Sequence, residues 1–144
     1  MKTCTFFGHS LITKDISSEL KKTLINLIVK ENVKKFYVGN HGDFDHIVHS
    51  VLIELSKIYD INYYVVLAYI PEKKYDPEDN SPSDTILPDG IEKIIPKFAI
   101  SYRNKWMIEQ SDFVVTYVTH DYGGAAQFRD KAIKIGKTVI NINC

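Results

Sequence analysis

The chain has 144 residues, 44% of them hydrophobic and 25% charged, a balance that fits one globular domain and excludes disordered, collagen-like and membrane-embedded chains. Its 18 basic and 18 acidic side chains cancel, so no broad footprint for a DNA or RNA backbone is expected and a nucleic-acid polymer is not an expected partner. A small anion remains open to it, because a helix N-terminus and one arginine hold a phosphate without net positive charge.

The first element is a strand over residues 3–7, short and apolar. Cys4 lies inside it and Cys144 ends the chain, a separation that argues against a disulfide scaffold and for a reduced, cytoplasmic protein. No charged leader precedes a long apolar stretch, and no apolar run reaches the roughly 18 residues of a membrane span, so no membrane partner is expected. Next come Ile16, Leu20, Leu24, Leu27 and Ile28, a helical stripe with Asp15 placed as its N-cap. A second strand covers residues 35–38. Val48, Val51, Leu52, Leu55 and Ile58 then repeat the helical stripe, with Asp43 in position to cap it. A third strand spans residues 62–68.

All 5 prolines, Pro71, Pro77, Pro82, Pro88 and Pro96, fall in the following stretch, which reads as a loop or lid over residues 70–97 with a short helix or hairpin near Ile91. A third helix over residues 98–110 leads to a fourth strand at 113–118. The last helix starts near Gly124, carries Ala125, Phe128, Ala132 and Ile135 on one face and stops at Gly136, and a fifth strand covers 138–142. Strands alternating with helices, several of them apolar on both faces, specify one α/β domain over residues 1–144. It is a doubly wound parallel five-stranded sheet, order 3-2-1-4-5, with helices on both faces.

Such sheets bind ligands outside the carboxyl ends of their strands, where the strand order reverses. For this order the crevice lies between the first and fourth strands. The loops leaving them carry Gly8, His9 and Ser10 on one side and His120, Asp121, Tyr122, Gly123 and Gly124 on the other; the loop after the second strand, with Gly39, Asn40, Gly42 and Asp45, sits alongside. Glycine lets backbone approach a phosphate closely, and a following helix presents unpaired N–H groups to it. Phosphate binding is therefore expected at Gly8 to Ser10 and Gly123-Gly124, with Gly39 to Asp45 shaping the sugar or base side. His9 and His120 flank the crevice as hydrogen-bond donors or as acid and base. Tyr122 and Phe44 either stack on a base or pack beneath their own loops. His41, Asp43, Asp45, His46 and His49 are dense in metal-ligating types but match no metal-binding spacing, so no metal and no cofactor is expected.

The run Arg103-Asn104-Lys105-Trp106-Met107, Ser111-Asp112-Phe113, Tyr122-Gly123-Gly124-Ala125-Ala126-Gln127 resembles the SLOG superfamily of Rossmann-like proteins, and within it the Lonely Guy phosphoribohydrolases. Arg103 and Met107 fall on the Arg and Met of their R-K-x-x-M segment, Ser111-Asp112 on a Ser-Asp pair, and Gly123 on the last glycine of a PGGxGTxxE loop. The opening Phe7-Gly8-His9-Ser10 is similar to short bacterial and phage members. The resemblance implies that Arg103 contacts a phosphosugar, where the bland alternative is an ion pair with Glu109 or Asp112. Trp106 and Met107, large and apolar on the same helix, are expected to pack in the core or a dimer, and the resemblance implies a homodimer formed near residues 103–110.

Gln127 replaces the glutamate that the hydrolases use on the ribose, and an amide cannot take a proton. The chain is thus expected to bind a nucleotide or a phosphoribosyl small molecule, as a sensor or sequestering protein, with Gln127 touching ribose. The alternative is an N-glycosidase on a nucleoside monophosphate, with Arg103 and Asp121 as its catalytic candidates.

Overall fold

Strand β1 (Lys2–Gly8) runs through the middle of the sheet and sends successive side chains to opposite faces. Phe6 joins a core cluster on one side and Phe7 a second cluster on the other, as the two-residue period of a strand requires. In the computed structural model, which describes residues 2–69 and 84–142, every strand pairing is parallel. The remaining elements in chain order are α1 (Ser17–Lys30), β2 (Val33–Val38), α2 (Asp43–Ser56), β3 (Asn62–Val66), β4 (Asp84–Ile86), a 3-10 turn at Ile91–Lys93, α3 (Pro96–Glu109), β5 (Phe113–Tyr117), α4 (Gly124–Lys134) and β6 (Thr138–Asn141).

The sheet has six strands in the order β4-β3-β2-β1-β5-β6. The expected order is present inside it, and the sixth strand is the correction. β4 pairs along the edge of β3, and Leu67 N–H donates to the Ile86 carbonyl at 2.9 Å. Three residues are too short to display a strand period, so the stretch read as a loop over 70–97 contains an edge strand and the 3-10 turn; residues 70–83 of it lie outside the described residues.

Helices α1 and α2 cover one face. Leu20, Leu24 and Leu27 of α1 and Val48, Leu52 and Leu55 of α2 are buried against Phe36 and Val38. Helices α3 and α4 cover the other, through Met107, Ile108 and Ala132 against Tyr37, Val66 and Val114. The Phe6–Phe36 and Phe7–Phe128 ring pairs, at 6.1 and 5.5 Å, tie the sheet to itself and to α4.

The helix ends differ in detail from expectation. Ile16, not Asp15, is the N-cap of α1, and the Asp15 carboxylate accepts the Ser17 N–H at 3.0 Å from one residue further out. Gly136 ends α4 as expected, at φ 89°, with Gly136 N–H donating to the Ile133 carbonyl and Lys137 N–H to that of Ala132, which is the Schellman arrangement. Among the described residues no helix is long and apolar enough to cross a membrane.

Candidate functional site

β1 and β5 are neighbours, and their last paired residues are Gly8 and Tyr117. The chain leaves β1 toward the α1/α2 face and leaves β5 toward α4 on the opposite face, so the two exits diverge and open a cleft between them. Its volume is about 670 Å³, within the usual range for a small-molecule site.

The β1 exit is held from below. A Cβ on Gly8 would land inside the Phe44 ring, and Phe44 is only 1% exposed. Phe44 therefore packs beneath the loop and is not available to stack on a base. Gly42, at φ 92° and ψ 176°, is the N-cap of α2, and a Cβ there would stand 2.6 Å from Ser10 Cα. Asp43 N–H donates to the Ser10 carbonyl at 2.8 Å, Phe44 N–H to that of His9 at 3.3 Å, and Ile12 N–H to Asp43 Oδ2 at 2.9 Å. The first donors of α2 are thus spent on the neighbouring loop. Asp43 is the first residue of the helix and a clamp on residues 10–12, where capping had been expected, and Gly42 does not line the cleft.

The start of α4 shares that backbone geometry and lacks the occupant. Gly123 caps it at φ 91° and ψ 175°, a region that residues with a Cβ enter only with strain. No side chain caps the helix, and Gln127 N–H is the first to find an intrahelical acceptor, the Gly123 carbonyl at 3.1 Å. The N–H groups of Gly124, Ala125 and Ala126 have no protein partner among the described residues, and Gly123, Gly124 and Ala125 line the cleft. These donors and the positive end of the helix dipole suit an anion.

Opposite them lies Arg103 on α3, 3% exposed and lining the cleft. Its Nε donates to Asn104 Oδ1 at 3.1 Å and its Nη1 to Asn40 Oδ1 at 2.8 Å; Nη2 has no partner among the described residues. It forms no ion pair with Glu109, which meets Lys105, or with Asp112, which accepts Thr3 N–H. Burial lowers its pKa, against the opposing influence of Asp45 and Tyr69. Asp45, also lining the cleft, accepts His41 N–H at 3.0 Å. Burial raises its pKa, opposed by that hydrogen bond and by Arg103. A Cβ on Gly39 would stand 2.7 Å from Asp45 Oδ2 and 3.3 Å from Arg103 Cζ. Gly39 and Asn40 therefore do not line the cleft; one leaves room for the Asp45–Arg103 pair, and the other holds the guanidinium.

The far wall is aromatic. His9 stacks on His120 at 4.3 Å and His120 on Tyr122 at 3.9 Å, with Tyr122 74% exposed. His9 Nε2 accepts Thr119 N–H at 2.9 Å and lies 3.0 Å from Thr119 Oγ1, which fixes the proton of its neutral ring on Nδ1. His120 Nδ1 is buried without a partner among the described residues. Asp121 does not line the cleft; its exposed carboxylate pairs with Arg129 at 3.1 Å.

Gly8, His9, Ser10, Asp45, Arg103, His120, Tyr122, Gly123, Gly124 and Gln127 thus meet in one cleft, while Gly39, Asn40, Gly42 and Asp121 stand behind it. Thr119, which opens the loop after β5, lines it too, and Asn104, Ser101 and Phe128 line it unexpectedly; the helical step from Arg103 to Asn104 carried no distinct signal. Met107 is buried at the cleft, and Trp106 packs edge-on to Tyr37 at 5.1 Å, so both serve the chain's own core. Among the described residues no three His, Cys, Asp or Glu side chains come together as a metal site.

No protein-family model and no curated protein matches the chain. Its fold is similar to that in the X-ray structure of DNA processing protein A from Streptococcus pneumoniae, with a TM-score of 0.70 at 16% sequence identity over 97% of this chain and 50% of that one. The chain spans half the length of that protein, and the likeness establishes a Rossmann-like α/β fold. It also overturns the expectation that a nucleic-acid polymer is no partner, since this fold occurs in a DNA-processing protein. That expectation rested on net charge, which sums over the whole surface and hides local clusters of lysine.

Proposed function

We propose that the cleft binds a nucleotide or nucleotide-derived small molecule, and that the chain acts as a sensor or sequestering protein of the SLOG type. The reading rests on one observation above all. Gly123, at φ 91°, starts a helix whose first three N–H groups have no partner among the described residues, on a cleft that also receives the buried guanidinium of Arg103, its Nη2 likewise unpartnered among them. A phosphate at Gly124 to Ala126 gains those donors and the helix dipole, and Arg103 adds a charge-assisted bond to the phosphate or its sugar. Ser10 and Gln127 supply neutral polar contacts. Tyr122, stacked and exposed, offers a face to a base.

The test is a thermal-shift and calorimetric titration with AMP, GMP, CMP, UMP, ADP-ribose and the corresponding nucleosides. A ligand at 100 times its Kd raises stability by about 2.7 kcal/mol, so nucleotides should raise Tm where nucleosides do not. No response to any of them would sink the reading. A short 5′-phosphorylated oligonucleotide in the same titration separates a free nucleotide from the end of a nucleic-acid strand, a distinction that matters given the fold's occurrence in a DNA-processing protein.

A second reading, N-glycosidase action on a nucleoside monophosphate, is favoured by Asp45. This carboxylate lines the cleft beside Arg103 with its pKa raised by burial, the condition of a general acid or base. It lines the cleft, where Asp121 does not. Release of free base, followed by chromatography and abolished by Asp45→Asn, would establish it; nucleotide binding without release would leave the binding reading alone.

A further inference from the structure

A second hollow, of about 490 Å³, lies between α3 and α4 next to the 3-10 turn, and Ser101, Gln127 and Phe128 line both it and the cleft. Its floor carries two large exposed apolar side chains, Phe98 at 53% and Ile95 at 61%. Its rim carries Lys93 from the turn, Lys105 from α3 and Lys131 from α4. Lys105 has Glu109 at 3.9 Å, whereas Lys93 and Lys131 meet no carboxylate among the described residues. Lys97 adds a fourth ammonium, 5.0 Å from the Phe98 ring centre. An aromatic surface ringed by cations and continuous with a phosphate cleft matches one ligand chemistry, a flat base attached to phosphate.

Resting on the nucleotide reading of the cleft, we infer that this groove takes the second nucleotide of a free dinucleotide whose 5′-phosphate sits at the start of α4. The second base stacks on Phe98 and Ile95. The linking phosphate passes Gln127, on the divide between the hollows, and meets Lys131. Each hollow has the volume of a small-molecule site, and the residues they share let one ligand place a base in each, which favours a dinucleotide over a single larger base.

Calorimetry on the full chain compares AMP with the linear 5′-phosphorylated diadenylate pApA, and likewise the other mononucleotides with their dinucleotides. The expected result is a dinucleotide bound at least about tenfold tighter than its mononucleotide, since one base stack accounts for such a factor. Phe98→Ala and Lys131→Glu, both surface changes checked by unaltered Tm, should close that gap and leave mononucleotide affinity as it was. Equal affinities, or a gap that survives both variants, would overturn the inference while leaving the mononucleotide reading intact. A ten-residue oligoadenylate binding tighter than pApA would overturn it in favour of a strand track. An acidic amphipathic peptide that displaces pApA without touching AMP would overturn it in favour of a protein partner. If no mononucleotide and no dinucleotide binds, the reading of the cleft falls and this one with it.

Discussion

The imidazoles of His9 and His120 stack at 4.3 Å with their planes 22° apart, each delivered by the loop leaving one of two adjacent central strands. Burial first, and the neighbouring His120 second, lower the His9 pKa below 6.5. A histidine with a depressed folded-state pKa is protonated earlier in the unfolded chain, so stability is lost as pH falls below about 6.5. An NMR titration should find His9 as the Nδ1–H tautomer at neutral pH with a midpoint under 6.5. His120→Ala should raise that midpoint without restoring 6.5, because burial remains. An unchanged midpoint would show that the stack does not couple the two rings.

Gly123 and Gly124 are adjacent in sequence and unequal in structure. At Gly123, φ 91° excludes a comfortable side chain, whereas a Cβ on Gly124 meets nothing within 4 Å. Gly123→Ala is expected to lower stability by about 1–3 kcal/mol and to abolish phosphate binding as the start of α4 moves. Gly124→Ala should be neutral or stabilising by about 0.4–1 kcal/mol. Denaturant midpoints of the two variants check the contrast, and equal losses would contradict it.

Gly39 separates nothing in sequence and much in space. Gly39→Ala places a methyl group 2.7 Å from Asp45 Oδ2 and 3.3 Å from Arg103 Cζ, and neither group is the free end of an exposed chain. Overpacking of this kind costs about 1–3 kcal/mol. Ligand affinity should fall as well, since Arg103 must shift, and Asn40 with it. A calorimetric titration of the variant at a temperature where it remains folded separates the two effects.

The five-strand order and the glycine loops were legible because they follow from periodicity and from backbone freedom, both local properties. Phe7 and Phe6 announce a strand buried on both faces, and Gly136 announces the end of a helix. What escaped was the choice of partner across long sequence distances. Asp43 has the residue type and position of a cap, yet its carboxylate serves Ile12, 31 residues earlier. Asp121 stands one residue from Tyr122 and still turns to Arg129. Phe44 was equally compatible with a base or with its own loop until the absence of a side chain at Gly8 gave its ring a place. β4 is three residues long, below the length at which a strand's alternation can be read.

Asp45 carries the last expectation, and its sign runs opposite to that of most carboxylates. Its pKa is raised in the folded chain because burial outweighs the His41 hydrogen bond and Arg103. Between the unfolded value of 3.8 and the folded one, the native state therefore holds the proton more tightly, and stability declines as pH rises through that window. At neutral pH the ionised carboxylate is a net cost. Asp45→Asn keeps an oxygen for the His41 N–H and removes the charge, so it should raise Tm at pH 7. The gain should vanish below about pH 3.8, where the wild-type side chain is protonated in both states. Arg103→Ala should do the reverse: it strands the Asn40 and Asn104 side-chain oxygens without their donor, at about 1–3 kcal/mol for each buried group left unsatisfied, and removes the nearby positive charge that favours ionised Asp45. Thermal denaturation of both variants from pH 3 to 8 measures the two curves. A destabilised Asp45→Asn at pH 7 would mean that Arg103 attracts Asp45 more strongly than burial opposes its charge, making the pair a structural tie and weakening Asp45 as an acid or base.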